Sequence, residues 1–372
     1  MKIELFKVFM SPNATRTVGE VLNSGFIGQG QKVEDFEAIL RTHFNNPFVN
    51  TVNSATSGLE LAVHLCKAQI GPGDEVLTTP LTCTATNWAI LNRNVRLKWV
   101  DIDPNNGNLD LADLARKLSP RTKAIMVVHW GGYAVDLIAL KEIQDICAQM
   151  YGFRPPVIED CAHAWGASFN GQLIGNHGNL SVFSFQAIKH LTTADGGILI
   201  SPDADTHARA KLLRWYGLDR TSSADFRCEQ NIAENGFKYH MNDVAAAIGI
   251  ANYPHAAANV KKHMDNGHYY NEALANIPGV RLLENKPDRN SSYWVYTMRV
   301  ENRAAFIRKM KEKNVTVSQV HDRNDKHQCV NEFRCGLPNL DQFCKEMICI
   351  PCGWWVGQED REYIVRQIKE GW

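Results

Sequence analysis

No surplus of either charge marks this 372-residue chain: 40 lysines and arginines face 40 aspartates and glutamates, for a formal charge of zero. Attraction to nucleic acid or to an anionic lipid surface is therefore not built into the composition, and a small molecule becomes the expected partner. No run approaches the roughly 20 consecutive apolar residues of a membrane-spanning helix, and the opening Met1-Lys2-Ile3-Glu4-Leu5 mixes charge with no long apolar leader core. A cytoplasmic protein is expected. Its 10 cysteines are scattered rather than spaced as a secreted disulfide framework, which favours free thiols in a reducing compartment. Internal repeats, low-complexity tracts and long polar linkers are missing too. What is present, 44% hydrophobic and 22% charged residues, suffices for one large core or two unequal ones.

Over the first two-thirds, short apolar runs alternate with stretches of helical period, the pattern of an α/β domain with a mainly parallel sheet. Seven strands are expected at Phe48–Asn53, Glu75–Thr79, Arg96–Asp101, Lys123–His129, Pro156–Glu159, Ser181–Phe185 and Gly197–Ser201. Between them, Val33, Phe36, Ile39 and Leu40 share one helix face, and Leu137, Leu140, Ile143 and Ile146 share another. Beyond Asp243 the pattern changes to an Ala-rich helix, a break at Pro254 and a second helical stretch to about Ala275. The division expected is a large domain over 1–250 and a small α+β domain over 251–372. The latter reads as strands Val280–Leu283, Tyr293–Val300 and Val315–Ser318, with helices Ala304–Lys313 and Glu359–Lys369. Ligands of open α/β sheets sit outside the carboxyl ends of the strands, so the loops after Asn53, Thr79, Glu159 and Phe185 are where chemistry is expected.

Three segments there could carry it. In Val157-Ile158-Glu159-Asp160-Cys161-Ala162-His163 a buried strand ends in two carboxylates, costly unless a cation is near; a capping Asp160 and a core His163 are the plain alternative. In Ser184-Phe185-Gln186-Ala187-Ile188-Lys189-His190-Leu191-Thr192-Thr193-Ala194-Asp195-Gly196-Gly197 a lysine lies beside hydroxyls. Lysines form Schiff bases, and pyridoxal phosphate enzymes pair such a lysine with an acid at the pyridinium nitrogen. A solvated loop cation is the alternative for Lys189. Asn53-Ser54-Ala55-Thr56-Ser57-Gly58 turns from a strand into a helix start whose N–H groups and hydroxyls suit a phosphate, or simple capping.

In this order and spacing the segments resemble the DegT/DnrJ/StrS family of sugar aminotransferases. The resemblance runs over nearly the whole chain. It includes Ser24-Gly25-Phe26-Ile27-Gly28-Gln29-Gly30, Val128-His129-Trp130-Gly131-Gly132 with Asp136, the 29 positions from Asp160 to Lys189, and Gly236-Phe237-Lys238-Tyr239-His240-Met241-Asn242-Asp243. It implies a fold-type I pyridoxal phosphate (PLP) enzyme with a seven-stranded, mainly parallel sheet and a small C-terminal α+β domain. It further implies that Lys189 holds PLP and shuttles protons, that Asp160 pairs with the pyridine nitrogen, and that His163 lies near the 3′-oxygen. Thr56, Ser57 and Ser184 would hold the phosphate, and Lys238 or His240 would reach the phosphate in the other subunit of a homodimer. Phe26, His190, His321, Arg323 and Lys326 are the substrate-binding candidates.

The implied reaction passes an amino group from L-glutamate, through pyridoxamine phosphate, to a keto group of a nucleotide-linked deoxysugar, with C4 favoured over C3. Two departures stand out: Cys83 falls where many members stack an aromatic ring on the cofactor, and Lys238 where many carry Asn. A branch of keto-sugar dehydratases replaces the lysine by His; here His190 follows Lys189, and only a slipped loop would place it there. A non-catalytic descendant would be free to lose Lys189 and Asp160.

The remaining motifs carry less. Cys349-Ile350-Pro351-Cys352 is a single C-x-x-C, whereas a structural zinc site usually pairs two short spacings, so buried thiols and no metal are expected. His321-Asp322-Arg323-Asn324-Asp325-Lys326-His327 falls, by the resemblance, on a loop approaching the sugar. The alternating charges of Arg303–Lys313 fit a solvated amphipathic face.

Overall fold

The computed structural model describes residues 2–66, 73–221 and 229–372. Its largest sheet contains β1 (Val49–Val52), β2 (Glu75–Thr78), β3 (Arg96–Trp99), β4 (Thr122–Val128) and β5 (Val157–Asp160). A small hairpin, β6 (Ser168–Phe169) and β7 (Gln172–Leu173), precedes the last two members, β8 (Leu180–Ser184) and β9 (Gly197–Ile200). The order is β1-β9-β8-β5-β4-β2-β3, with β9 antiparallel to both neighbours and every other pairing parallel. All seven expected strands form, with ends shifted by one or two residues. Most are buried along their length, because helices cover both faces of a parallel sheet.

Those helices are α1 (Ala14–Ser24), α2 (Gln31–Phe44), α3 (Ala55–Cys66), α4 (Thr84–Leu91), α5 (Leu111–Lys117), α6 (Leu137–Tyr151) and α7 (Ala204–Leu213). On α2, Val33, Phe36 and Leu40 are buried, as the period predicts. On α6 the inward stripe runs Leu137, Leu140, Ile143 and then Cys147, while Ile146 is exposed. A helix of 3.6 residues per turn takes position i+4 inward here rather than i+3.

The helix α8 (Asp243–Ala273) runs unbroken through Pro254. A proline removes one ladder hydrogen bond and crowds the preceding turn, at a cost of about 3 kcal/mol. Burial at both ends offsets it: Ala246, Ala256 and Val260 join the large core, and Tyr270 joins the C-terminal one. The break expected at Pro254 is therefore absent, and residues 250 and 251 lie inside one helix. Asp243 also fixes the chain's early turn, its carboxylate accepting the N–H groups of Gly30 (2.7 Å) and Val33 (3.1 Å) at the start of α2. A Cβ on Gly30 would stand 2.8 Å from that carboxylate.

The C-terminal part holds β10 (Val280–Leu282), β11 (Arg289–Asn290), β12 (Tyr296–Val300), α9 (Arg303–Glu312), α10 (Pro338–Glu346), β13 (Met347–Ile350) and α11 (Gln358–Lys369). Its sheet is β10-β12-β13, while β11 pairs with β6. The segment Val315–Ser318 is not a strand: Val315 makes one bridge to Ile3 and Ser318 one to Cys349. The third strand is instead Met347–Ile350, which places Cys349 inside the sheet. Its residues overlap the Cys349-Ile350-Pro351-Cys352 motif, and its pairing depends on β12 lying alongside, which local pattern does not carry. Cys349 and Cys352 are buried, and burial pushes the Cys349 thiol up to about 12. No helix among the described residues is long and apolar enough to cross a membrane.

One buried ion pair ties α2 to the end of α7. Arg214 is 2% exposed and donates to Glu37 and to the Thr51 carbonyl (2.7 Å), while Glu37 also accepts Thr51 N–H at 2.9 Å. Burial raises the Glu37 carboxyl, but the Arg214 charge and these hydrogen bonds outweigh it and hold the group below its ordinary 4.5. Removing only the cation leaves a buried carboxylate, so Arg214→Met should destabilise by roughly 3–5 kcal/mol in urea unfolding at neutral pH. A carboxylate with a depressed folded pKa stabilises above its unfolded value and loses that contribution as pH falls through the folded one. The gap between wild type and variant should therefore narrow as pH falls, first above 4.5, where the variant's unpaired carboxylate takes up a proton, and further below 4.5 as the wild-type pair is lost.

Candidate active site

The carboxyl ends of β1, β8, β5, β4 and β2 lie along one edge of the sheet, and the loops leaving them carry the candidate residues. After β8 the chain makes a closed loop and returns as β9. Phe185 N–H donates to the Gly196 carbonyl (2.9 Å) and Thr193 N–H to the Phe185 carbonyl (2.9 Å). Ala194 takes a left-handed φ of 71° in the closing turn, a strained conformation for alanine. Lys189 projects from this loop, half-buried as a residue but with its amine enclosed. Burial lowers the amine to about 7, against the upward pull of Asp160 and Cys83.

Asp160 is the last residue of β5, paired in register with Val128 and Val182. Its Oδ2 accepts the Thr86 hydroxyl at 2.6 Å and its Oδ1 the Ala162 N–H at 3.0 Å. Burial still dominates and raises its pKa, with Thr86, Ala162 and Lys189 opposing. The neighbouring carboxylate points to the other face, where Glu159 pairs with His129 at 2.8 Å and accepts Asn179 at 2.8 Å. His129, Glu159 and Cys161 have donor atoms within 4.8 Å of one another. They form a hydrogen-bonded unit, because His129 Nδ1 already accepts Val135 N–H and burial pushes the Cys161 thiol well up.

Aromatic rings wall the amine. The Trp294 ring centroid lies 3.4 Å from Lys189 Nζ, and His163 stacks on Trp294 at 3.9 Å and 16°. His321 lies parallel to His163 at 5.5 Å, and its buried Nε2 has no partner. Burial, with repulsion from Lys189, holds both histidines neutral, His321 down at about 4. The Gly131 N–H points at His163 Nδ1 (3.4 Å), which leaves Nε2–H as that ring's free donor. Tyr293 and Val320, each immediately before one of these rings, have φ of 46° and 65°. Such conformations cost about 1–3 kcal/mol each and collect at functional sites.

Hydroxyls surround the start of α3. Ser54 Oγ accepts Ser57 N–H at 3.1 Å and lies 3.0 Å from Ser57 Oγ; Thr56 occupies the same first turn. Ser184 pairs with Gly197, whose Cβ would stand 3.0 Å from Ala55 N, so the ends of β8 and α3 meet. The backbone of Lys238 and Tyr239 is tied there too, each carbonyl accepting from Asn53.

Of the other expected residues, Cys83 stands just before α4 within electrostatic reach of Lys189. His190 turns elsewhere, donating from Nε2 to the Ser292 carbonyl (3.0 Å) and packing on His263. Arg323 pairs with Asp325 and Asp341, and Lys326 with Asp322, so these cations are already engaged. Phe26 stands out in solvent, 81% exposed. Three residues escaped the sequence argument: Trp294, Thr86 and Asn324. The buried Asn324 clamps the C-terminal loop to the loop carrying Cys83, donating to the carbonyls of Pro80 (2.9 Å) and Thr82 (2.6 Å). Thr86, three residues into the segment after Cys83, left a signal as a helix-start hydroxyl, and Asn324 lay within the His321–His327 segment without being singled out; Trp294 left none.

The chain matches the model of the DegT/DnrJ/EryC1/StrS aminotransferase family over residues 10–369. It belongs to that family. As expected of this family, the architecture recurs in solved structures. AtS13 from Actinomadura melliaura is 49% identical, with 100% of this chain and 99% of that one aligned and a TM-score of 0.97. The sugar aminotransferase CalS13 from Micromonospora echinospora is 43% identical over 99% of both chains, with a TM-score of 0.96. The dTDP-4-dehydro-2,3,6-trideoxy-D-glucose 4-aminotransferase of Saccharopolyspora spinosa is 29% identical over 361 residues, 94% of this chain and 91% of that one. The fold-type I architecture and the aminotransferase class implied by the sequence thus hold for this family member.

The enclosed amine gives a direct test. In the cofactor-free protein, acylation of Lys189 by acetic anhydride, followed by peptide mass spectrometry, should titrate with a midpoint near 7. Asp160→Asn should move that midpoint lower, because it deletes the largest charge favouring the ammonium.

Proposed function

We propose that the chain is a PLP-dependent aminotransferase that moves an amino group from L-glutamate to the C4 keto group of a nucleotide-linked deoxysugar. The observation that carries the proposal is the enclosed Lys189 amine within electrostatic reach of the buried Asp160 carboxylate, at the carboxyl edge of a parallel sheet. The residues suit pyridoxal phosphate in kind: an amine for the aldehyde, a carboxylate for the ring nitrogen, a helix start rich in hydroxyls for the phosphate, and a buried unpartnered His321 nitrogen facing the same wall. Bound there, the cofactor supplies an electron sink and carries the amino group between donor and acceptor.

The chain's own residues do the rest. Asp160, held by Thr86 and Ala162, favours the protonated ring nitrogen by its negative charge. His163 offers its Nε2–H to the cofactor's ring oxygen. The N–H groups of α3, with Thr56, Ser57 and Ser184, take the phosphate. Lys189, at about 7, gives up and takes back a proton near neutral pH, as moving a proton at the substrate carbon requires. His321 would meet the sugar, with its Nε2 as the polar contact. C4 is favoured because the Saccharopolyspora spinosa relative is a 4-aminotransferase. Donor and acceptor would use the one site in turn, in a ping-pong cycle.

We further propose a homodimer with the sites at its interface, where Lys238 reaches the partner's phosphate site. The exposed Leu22, Phe26, Ile27, Tyr216 and Ile232 support it as apolar surface in need of cover. The dehydratase alternative is disfavoured by His190, whose ring is spent on Ser292 and His263.

Adding L-glutamate to the PLP-loaded protein should replace its visible absorbance band with the pyridoxamine phosphate spectrum and release 2-oxoglutarate. A band that ignores glutamate would remove the donor assignment. Lys189→Ala should abolish the band and turnover. Asp160→Asn should stay folded and lose turnover by about 10²–10³-fold. Unchanged kinetics in that variant would remove the electron-sink role, and mass spectrometry of the sugar product would expose dehydration without amine transfer.

A further inference from the structure

Trp294 grips the Lys189 loop from two directions. Its indole Nε1–H donates to the Ile188 carbonyl at 3.0 Å, and Lys189 Nζ sits 3.4 Å from the centre of its ring. The ring is itself fixed: Phe6 stacks at 5.1 Å, His163 at 3.9 Å, and the left-handed Tyr293 before it is anchored through its carbonyl by His263 Nδ1 at 2.9 Å. The titratable groups within electrostatic reach of the amine are Asp160 at the end of β5, Cys83 before α4, His163 and His321, and also His190, although its ring turns to Ser292. Among the described residues no carboxylate lies within ion-pair distance of Lys189 Nζ, so the indole face is its nearest favourable partner.

We propose that Trp294 is the resting platform of the Lys189 ammonium: its π face holds the protonated amine whenever that amine is not bonded to the cofactor, and so fixes where and at what pH the free base is delivered. The purpose rests on the aminotransferase assignment; the measurement below does not. A ring quadrupole attracts the cation far more strongly than the neutral amine, and the attraction is strongest for tryptophan and in a desolvated setting. Burial works the other way, since it penalises the ammonium and lowers the amine to about 7. The three histidines are neutral at that pH and add no opposing charge. Removing the ring while keeping the site closed should therefore lower the amine further.

The test uses the full cofactor-free chain, with acetic anhydride labelling of Lys189 read by peptide mass spectrometry across pH. Trp294→Leu should lower the labelling midpoint by about one pH unit. Replacing the tryptophans biosynthetically with a ring-fluorinated analogue keeps their shape and withdraws π density, so it should shift the midpoint the same way by a smaller amount. A midpoint unchanged or raised in the fluorinated protein overturns the proposal, and so does one unchanged or raised in a folded Trp294→Leu. If the leucine variant does not fold, the fluorinated protein decides. Failure of the wild-type chain to bind PLP would overturn the functional assignment and leave this titration standing.

Discussion

Burial of a lysine amine and a carboxylate at one edge of the sheet is the constraint around which this molecule is built. Removal from water penalises both charges, which is why Lys189 is pushed down and Asp160 up. Neither group is stable there alone, and the surroundings supply the remainder: Thr86 and Ala162 for the carboxylate, an indole face for the amine. The strand order brings these pieces together, since β8 and β5 are neighbours and β4 and β2 follow on one side. The period of two in β5 sends Glu159 to the opposite face, where His129 and Asn179 satisfy it, so one strand end serves both a site and a core.

Rigid walls keep that arrangement in place. Ala194, Tyr293 and Val320 all take left-handed backbone conformations, and each adjoins a part of the site: the lysine loop, Trp294 and His321. Strain of this kind persists only where the surroundings overdetermine it, and the surroundings are visible. Asn252 accepts Ser11 N–H and donates to the Thr192 carbonyl in the lysine loop, and Asn324 fastens the C-terminal loop to Pro80 and Thr82. The single helix α8 passes from one core to the other, giving the two parts of the chain a common beam. The same continuity explains why Pro254 does not interrupt it.

Most of the large-sheet strands were legible because they are short apolar runs buried along their length, and β1 to β5 are each separated from the next by a helical stretch; β3, with Arg96 exposed and Lys98 half-buried, shows as alternation instead. Lys189, Asp160 and the hydroxyls at the start of α3 were legible because costly residue types stood at strand ends. The C-terminal sheet was less so: Val315–Ser318 has the residues of a strand but finds only single bridges, while Met347–Ile350, hidden in a C-x-x-C context, has partners waiting in β12. Pairing is a property of what lies alongside, which local pattern does not carry.

The sequence by itself determined the class of the fold, the strand ends where chemistry would sit, and the amine and carboxylate that belong there, because hydrophobic period and the cost of burying charge are local facts. Only the tertiary structure decided which side chains face that amine. It turned His190 away to Ser292, spent Arg323 and Lys326 on neighbouring carboxylates, and brought Trp294, His163 and His321 into one aromatic wall from segments far apart in the chain. Those outcomes depend on long-range contacts between loops, where direction is set by packing and by strained backbone rather than by the residues on either side.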